Sequence, residues 1–106
     1  MIARLWSART TNPADADAYE ALFPADALAH LTEVGGFRGA YLLRREHGTG
    51  AEFVAITMFD SLDAVRGFAG DDHCAANVSA RARTMLDDID ERVRHFTVVL
   101  GDPRSA

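Results

Sequence analysis

The chain has 106 residues, a single-domain length, with 48% apolar and 25% charged residues and a net charge of −5. That acidity argues against nucleic acid and anionic membranes as partners. Its one cysteine, Cys74, excludes an intrachain disulfide and suits a reducing cytoplasm, and no apolar run nears the ~20 residues that cross a bilayer.

Met1 to Arg9 alternates as a strand, with no basic n-region or long apolar h-region ahead of it. Ile2, Arg4, Trp6 and Ala8 share one face; Ala3, Leu5 and Ser7 share the other. Asn12-Pro13 starts a helix, as N-cap and first helical residue. Asp15 and Asp17 follow near the positive end of its dipole. Ala16, Tyr19, Phe23, Ala27, Leu31 and Val34 form one apolar stripe. Pro24 predicts a kink or short break, with helix resuming toward Thr32, and Gly35-Gly36 ends it.

Phe37 to His47 reads as the second strand, Gly48-Thr49-Gly50 as a tight hairpin, and Ala51 to Phe59 as the third strand. Asp60 or Ser61 caps the next helix, whose buried stripe is Leu62, Val65, Phe68 and Ala69, and Gly70 ends it. Asp71-Asp72-His73 is a polar loop. Ala75 to Ile89 lacks Gly and Pro and places Val78, Ala82, Met85, Leu86 and Ile89 at helical spacing, which predicts a third helix. Arg92 to Leu100 reads as the fourth strand. Residues 1–100 make the domain and 101–106 a polar tail.

This order predicts an α+β, ferredoxin-like split βαβ fold, a four-stranded antiparallel sheet with helices on one face. Strand three is apolar on both faces, with Val54, Ile56 and Met58 on one and Phe53, Ala55, Thr57 and Phe59 on the other. A sheet with one solvated face would alternate with polar residues. A second sheet from a symmetric partner is therefore expected over the outer face, giving a homodimer.

The stretches IARLWSART, GGFRGAYLLRR, AEFVAITMFDSLDAVRGFAGDD and VRHFTVV together resemble the antibiotic-biosynthesis-monooxygenase (ABM) family of the dimeric α+β barrel superfamily. The resemblance spans nearly all of residues 1–100. It implies a dimeric barrel with a ligand pocket between sheet and helices. The family includes cofactor-independent oxygenases of aromatic polyketides and haem-degrading enzymes. The implied function is a cofactor-independent, monooxygenase-like reaction on a small aromatic or polyketide-type molecule. The alternative is a non-catalytic small-molecule or haem-binding dimer. Quinone-forming members carry Asn and Trp in the third strand and Tyr in the helix after it. Ala55, Phe59 and Val65 occupy those positions here. In haem-degrading members a Trp falls near Phe68 and a His near Asn77 or Val78. The alignment points Ala55, Thr57 and Phe59 at the pocket, and pairing across the hairpin adds Tyr41 and Leu43 to that face.

Few residues carry chemistry. Arg4 offers a fixed fork of donors to an oxyanion or enolate, beside Trp6 as a pocket wall; an ion pair and a core tryptophan are the plainer roles. His95 and His73 are candidate bases, since histidine titrates at about 6.5. A hydrogen-bonded barrel wall and a solvated loop are their plainer roles. Tyr41 and Phe68 can stack on a flat ligand, and Asn77 and Arg81, one turn apart on the expected third helix, can close over it. Asp71, Asp72, His73 and Cys74 are adjacent, not spaced as ligands on a shared face, so no metal site is expected. There is no phosphate loop or dinucleotide fingerprint.

Overall fold

The computed structural model describes residues 1–104. Strand β1 (Ile2–Thr10) leads into helix α1 (Pro13–Phe23), which passes through a wide π-type turn (Pro24–Leu28) into α2 (Ala29–Leu31). Then follow β2 (Phe37–His47), β3 (Gly50–Phe59), α3 (Leu62–Ala69), α4 (Ala80–Arg83), β4 (Asp88–Ile89) and β5 (Arg94–Thr97). The sheet runs β2-β3-β1-β4, with β5 also beside β1, and every pairing is antiparallel. This is the ferredoxin-like arrangement, with the helices on one face.

Local chemistry sets the helix starts. The Asn12 side chain accepts from the Asp15 amide at 2.8 Å, and Ser61 accepts from the Ala64 amide at 3.2 Å. Pro24 widens the helix rather than stopping it. Its flanks keep right-handed helical backbone, so Leu31 still reaches the core.

Three expectations need correction. The helix expected over Ala75 to Ile89 is one turn, Ala80–Arg83, capped by Ser79. The backbone on either side is committed elsewhere: the Ala76 amide donates to the Glu91 carbonyl at 2.9 Å, and Asp88–Ile89 pairs with β1. Val78, Ala82, Met85, Leu86 and Ile89 do pack on one core cluster, from a loop, a single turn and a short strand. The fourth strand expected over Arg92 to Leu100 is shorter, Arg94–Thr97, and a separate short strand, Asp88–Ile89, precedes it with its pairing register to β1 offset by two residues. The intervening residues bulge outward and pair with the preceding loop through Ala75 and Arg92. Of the expected 101–106 tail, residues 101–104 carry no regular structure, and Ser105 and Ala106 lie outside the described residues.

The hairpin also differs from expectation. Its turn is Gly48-Thr49, and Gly50 already pairs with His47. A one-residue change of register moves every side chain to the opposite face. Tyr41 therefore sits opposite Ile56 and Leu43 opposite Val54. Both join the outer face, at 63% and 47% exposure. Ala40 and Leu42, opposite Thr57 and Ala55, take the helix side.

On that helix side Ala51, Phe53, Ala55, Thr57 and Phe59 are all buried, as are Arg4, Ala8 and Thr10. The core forms two clusters. One is built on Tyr19, Phe23, Phe53 and Leu86, the other on Leu31, Phe59 and Val65.

Candidate functional site

A cavity of about 160 Å³ lies between the sheet and the helices. Arg4, Trp6, Ala55, Thr57 and Val93 form its sheet wall. Tyr19, Leu22, Phe23, Asp26, Ala27, His30 and Leu31 form the α1–α2 wall. Phe68, Asn77, Val78, Ser79 and Ala82 close it. Three aromatic side chains, Trp6, Tyr19 and Phe23, follow one another along the wall at centroid separations of 6.2 and 6.4 Å. The Trp6 indole N–H donates to the Asp90 carbonyl at 2.9 Å, which fixes the ring where the bulge begins.

Arg4 is the unusual member. It is 4% exposed, and among the described residues no carboxylate lies within salt-bridge distance of it. Its Nη1 donates to the His73 carbonyl and to His95 Nε2 at 3.1 Å; its Nη2 donates to the Ala75 carbonyl at 2.9 Å. The guanidinium carbon lies 5.7 Å from the Phe68 ring centre. Burial lowers its pKa to about 10, against the raising effect of Cys74, so it stays cationic at neutral pH. A guanidinium only donates, so His95 Nε2 accepts and its proton sits on Nδ1. Burial, then Arg4, then His73 hold the His95 pKa below its usual value.

The closing segment is tied down at two points. Ser79 Oγ donates to Asp26 Oδ2 at 2.5 Å, joining the N-cap of α4 to the π-type turn. Asn77 Nδ2 donates to the Phe68 carbonyl at 3.1 Å. His30, on the helix turn after Asp26, sits 3.9 Å from that carboxylate at the cavity mouth. Tyr19 has its hydroxyl pKa raised, first by burial and then by the charge of Asp26.

Arg4, Trp6, Thr57, Phe68 and Asn77, all singled out from the sequence, meet at this cavity. The others do not. Phe59 is fully buried in the neighbouring cluster, 6.2 Å behind Phe68. Tyr41 is on the outer face, and Arg81 is exposed on the solvent side of α4. His73 and His95 lie outside the lining, against the Arg4 guanidinium, with ring centres 5.3 Å apart. Cys74 joins them, and the donor atoms of the three lie within 4.8 Å of one another. Sequence reasoning missed Tyr19, Asp26, His30 and Ser79 as lining residues. The one signal was the Leu22, Asp26, His30 spacing of four, which puts a carboxylate and an imidazole beside the apolar stripe.

No family model and no curated protein matches the chain. Solved structures do match in fold. A variant of MhuD with two manganese protoporphyrin IX molecules bound per active site is 25% identical, over 98% of this chain and 100% of that one, at a TM-score of 0.63. SnoaB, a cofactor-independent oxygenase from Streptomyces nogalater, is 22% identical, over 97% and 98%, at 0.62. The monooxygenase from the ActVA-Orf6 gene of Streptomyces coelicolor, in complex with nanaomycin D, is 19% identical, over 99% and 92%, at 0.62. The chain thus shares, along nearly its whole length, the ferredoxin-like α+β fold of cofactor-independent oxygenases and of a porphyrin-binding protein.

Proposed function

We propose that the protein is an ABM-type dimer that binds a compact aromatic or polyketide-type molecule and oxidises it in the manner of a cofactor-independent monooxygenase. The observation that carries this reading is Arg4, a buried cation with no carboxylate partner among the described residues, in the wall of an otherwise largely apolar cavity that holds Trp6, Tyr19, Phe23 and Phe68. In such a reaction the substrate itself supplies electrons to dioxygen. A phenol or enol loses a proton to a base, and the resulting anion is electron-rich enough to react. Overall, a ring methylene and dioxygen give a ring carbonyl and water. Arg4 stabilises the anion, and Trp6, Tyr19 and Phe68 hold the ring. Asp26 and His30 are the acid–base groups that face the cavity. Of the bases offered by the sequence, His95 acts in this reading as a positioning residue for Arg4 through its Nε2, while His73 holds Arg4 only through its backbone carbonyl.

Size limits the ligand. A cavity of about 150 Å³ holds one benzene, and typical ligand pockets run from roughly 300 Å³ upward. The present cavity takes one ring or a small bicyclic molecule. A tricyclic polyketide requires the Ser79–Asp26 and Asn77–Phe68 hydrogen bonds to open. A haem macrocycle fits far less well, and the only histidine in the lining is His30, at the exposed mouth. The residues present do not suit haem, and no step is assigned to it. A non-catalytic small-molecule carrier of the same fold is the second reading. It is favoured by the apolar Ala55, Phe59 and Val65 at positions where quinone-forming relatives keep polar or redox-capable side chains.

This reading includes a second copy of the chain on the outer sheet face and a reducing cytoplasm, suited to the single thiol. No helix among the described residues is long and apolar enough to cross a membrane. Oxygen uptake with a panel of anthrones and naphthols tests the enzyme reading. Uptake with at least one compound, and an increase of about tenfold or more in Kd for a hydroxynaphthoquinone anion on Arg4→Met, is the expected result, since hydrogen bonds to a charged group contribute about 1.5–3 kcal/mol. Unaltered binding in the variant retires the Arg4 anchor. Binding without oxygen uptake selects the carrier.

A further inference from the structure

We propose that His73, Cys74 and His95 form a site for a divalent transition-metal ion of the zinc class, at the sheet edge on the far side of Arg4 from the cavity. One ligand atom from each residue falls within 4.8 Å of the other two. Metal–ligand bonds of about 2.0–2.3 Å in tetrahedral geometry put donors roughly 3.5 Å apart, so side-chain rotations complete the site once His95 exchanges its hydrogen bond from Arg4 for the ion. Two imidazoles and one thiolate suit zinc, cobalt or copper, and are poor ligands for magnesium or calcium. All three residues are half-buried, which leaves an ion a path in and a fourth position open to water.

The loop is built to hold this arrangement. The carbonyls of His73 and Ala75 accept from Arg4, and the Cys74 carbonyl accepts from the Val93 amide at 2.8 Å. Asp72 pairs with Arg92 at 2.8 Å across the same bulge. The backbone of residues 73–75 is thereby fixed, while among the described residues only His95, of the three, has its ring nitrogen hydrogen-bonded. Arg4 puts a positive charge beside the ion. A neutral donor set would not offset it, so the Cys74 thiolate is the indispensable ligand. None of its donors lines the cavity, and the site meets the proposed anion anchor only where His95 Nε2 accepts from Arg4, so metal binding is read by its own spectrum whatever the cavity does.

Cobalt(II) titration of the metal-free, reduced chain tests the proposal. The expected result is one ion per chain, with a thiolate-to-cobalt charge-transfer band and tetrahedral ligand-field bands that stoichiometric zinc abolishes and magnesium does not. Cys74→Ser removes the charge-transfer band. His73→Ala, in the half-buried loop, weakens binding by at least about tenfold, the lower end of what even outer-shell changes cost. Circular dichroism verifies that both variants keep their fold. Absence of the charge-transfer band in the wild type overturns the proposal. So does a spectrum unchanged by both substitutions, which places the ion at another histidine such as His30 or His47.

Discussion

Gly50→Ala lowers the melting temperature by more than about 12 °C, the equivalent of roughly 3 kcal/mol for a domain of this size. Gly50 opens β3 where it passes the end of β1. A methyl there would lie 2.0 Å from the Thr10 carbonyl oxygen, 2.5 Å from the Thr10 carbonyl carbon and 2.9 Å from that of Thr11. All three are backbone atoms, so no rotamer change relieves the overlap. The strands must part where Thr10 pairs with Ala51, and the bond from the Ala51 amide to Thr10 Oγ1, 3.1 Å, is strained with them. Ala51 and Phe53, both fully buried, move off the core. Gly48 is the internal control. Its φ is +59° and a Cβ there meets nothing within 4 Å, so Gly48→Asn melts within a few degrees of wild type. Thermal unfolding followed by circular dichroism separates the two. A Gly50→Ala variant as stable as Gly48→Asn contradicts the strand geometry.

Ile56→Asp is predicted to convert the proposed dimer to a monomer at micromolar concentration. Ile56 lies in the centre of the outer face, between Tyr41 on β2 and Leu5 on β1. Met58 beside Ala3, itself opposite Phe96, makes the row on one side, and Val54 beside Leu43 the row on the other. Tyr41, Leu43 and Phe96 are 63%, 47% and 47% exposed in the single chain, a contiguous apolar patch unusual for a free surface. Toward the hairpin, Arg45 and Arg9 flank Glu52 and supply a polar rim. In a two-fold interface one substitution buries two unpaired carboxylates, each costing several kcal/mol. Sedimentation velocity gives a dimer for the wild type and a monomer for the variant. A wild-type monomer would leave this face without its proposed cover, and a dimeric variant would move the interface elsewhere.

The first three strands and the two capped helix starts were legible because their signals are local. Alternation assigned Arg4 and Trp6 to one face and Leu5 to the other, and Asn12-Pro13 and Ser61 capped as expected. What failed depended on partners distant in sequence. The Val78 to Ile89 stripe recorded burial correctly, but helical spacing does not distinguish a helix from a loop and short strand laid on the same core. Counting Gly50 as turn rather than strand misplaced Tyr41 by a single residue of register. The His73, Cys74 and His95 cluster exists only because the bulge between β4 and β5 draws the loop across Arg4, and no spacing within the loop announces it. Asp26 and His30 were passed over because they are polar residues beside the apolar stripe, and only the packed structure shows that side facing a cavity.

We propose that the cavity beside Arg4 binds an aromatic anion. Trp6 is the only tryptophan in the chain and its ring lines that cavity, so its fluorescence reports occupancy there. Titration with a hydroxynaphthoquinone anion is predicted to quench Trp6 saturably, at one site per chain, with Kd raised about tenfold or more in Arg4→Met. Quenching that is linear and non-saturating, or identical in the wild type and the variant, would contradict it.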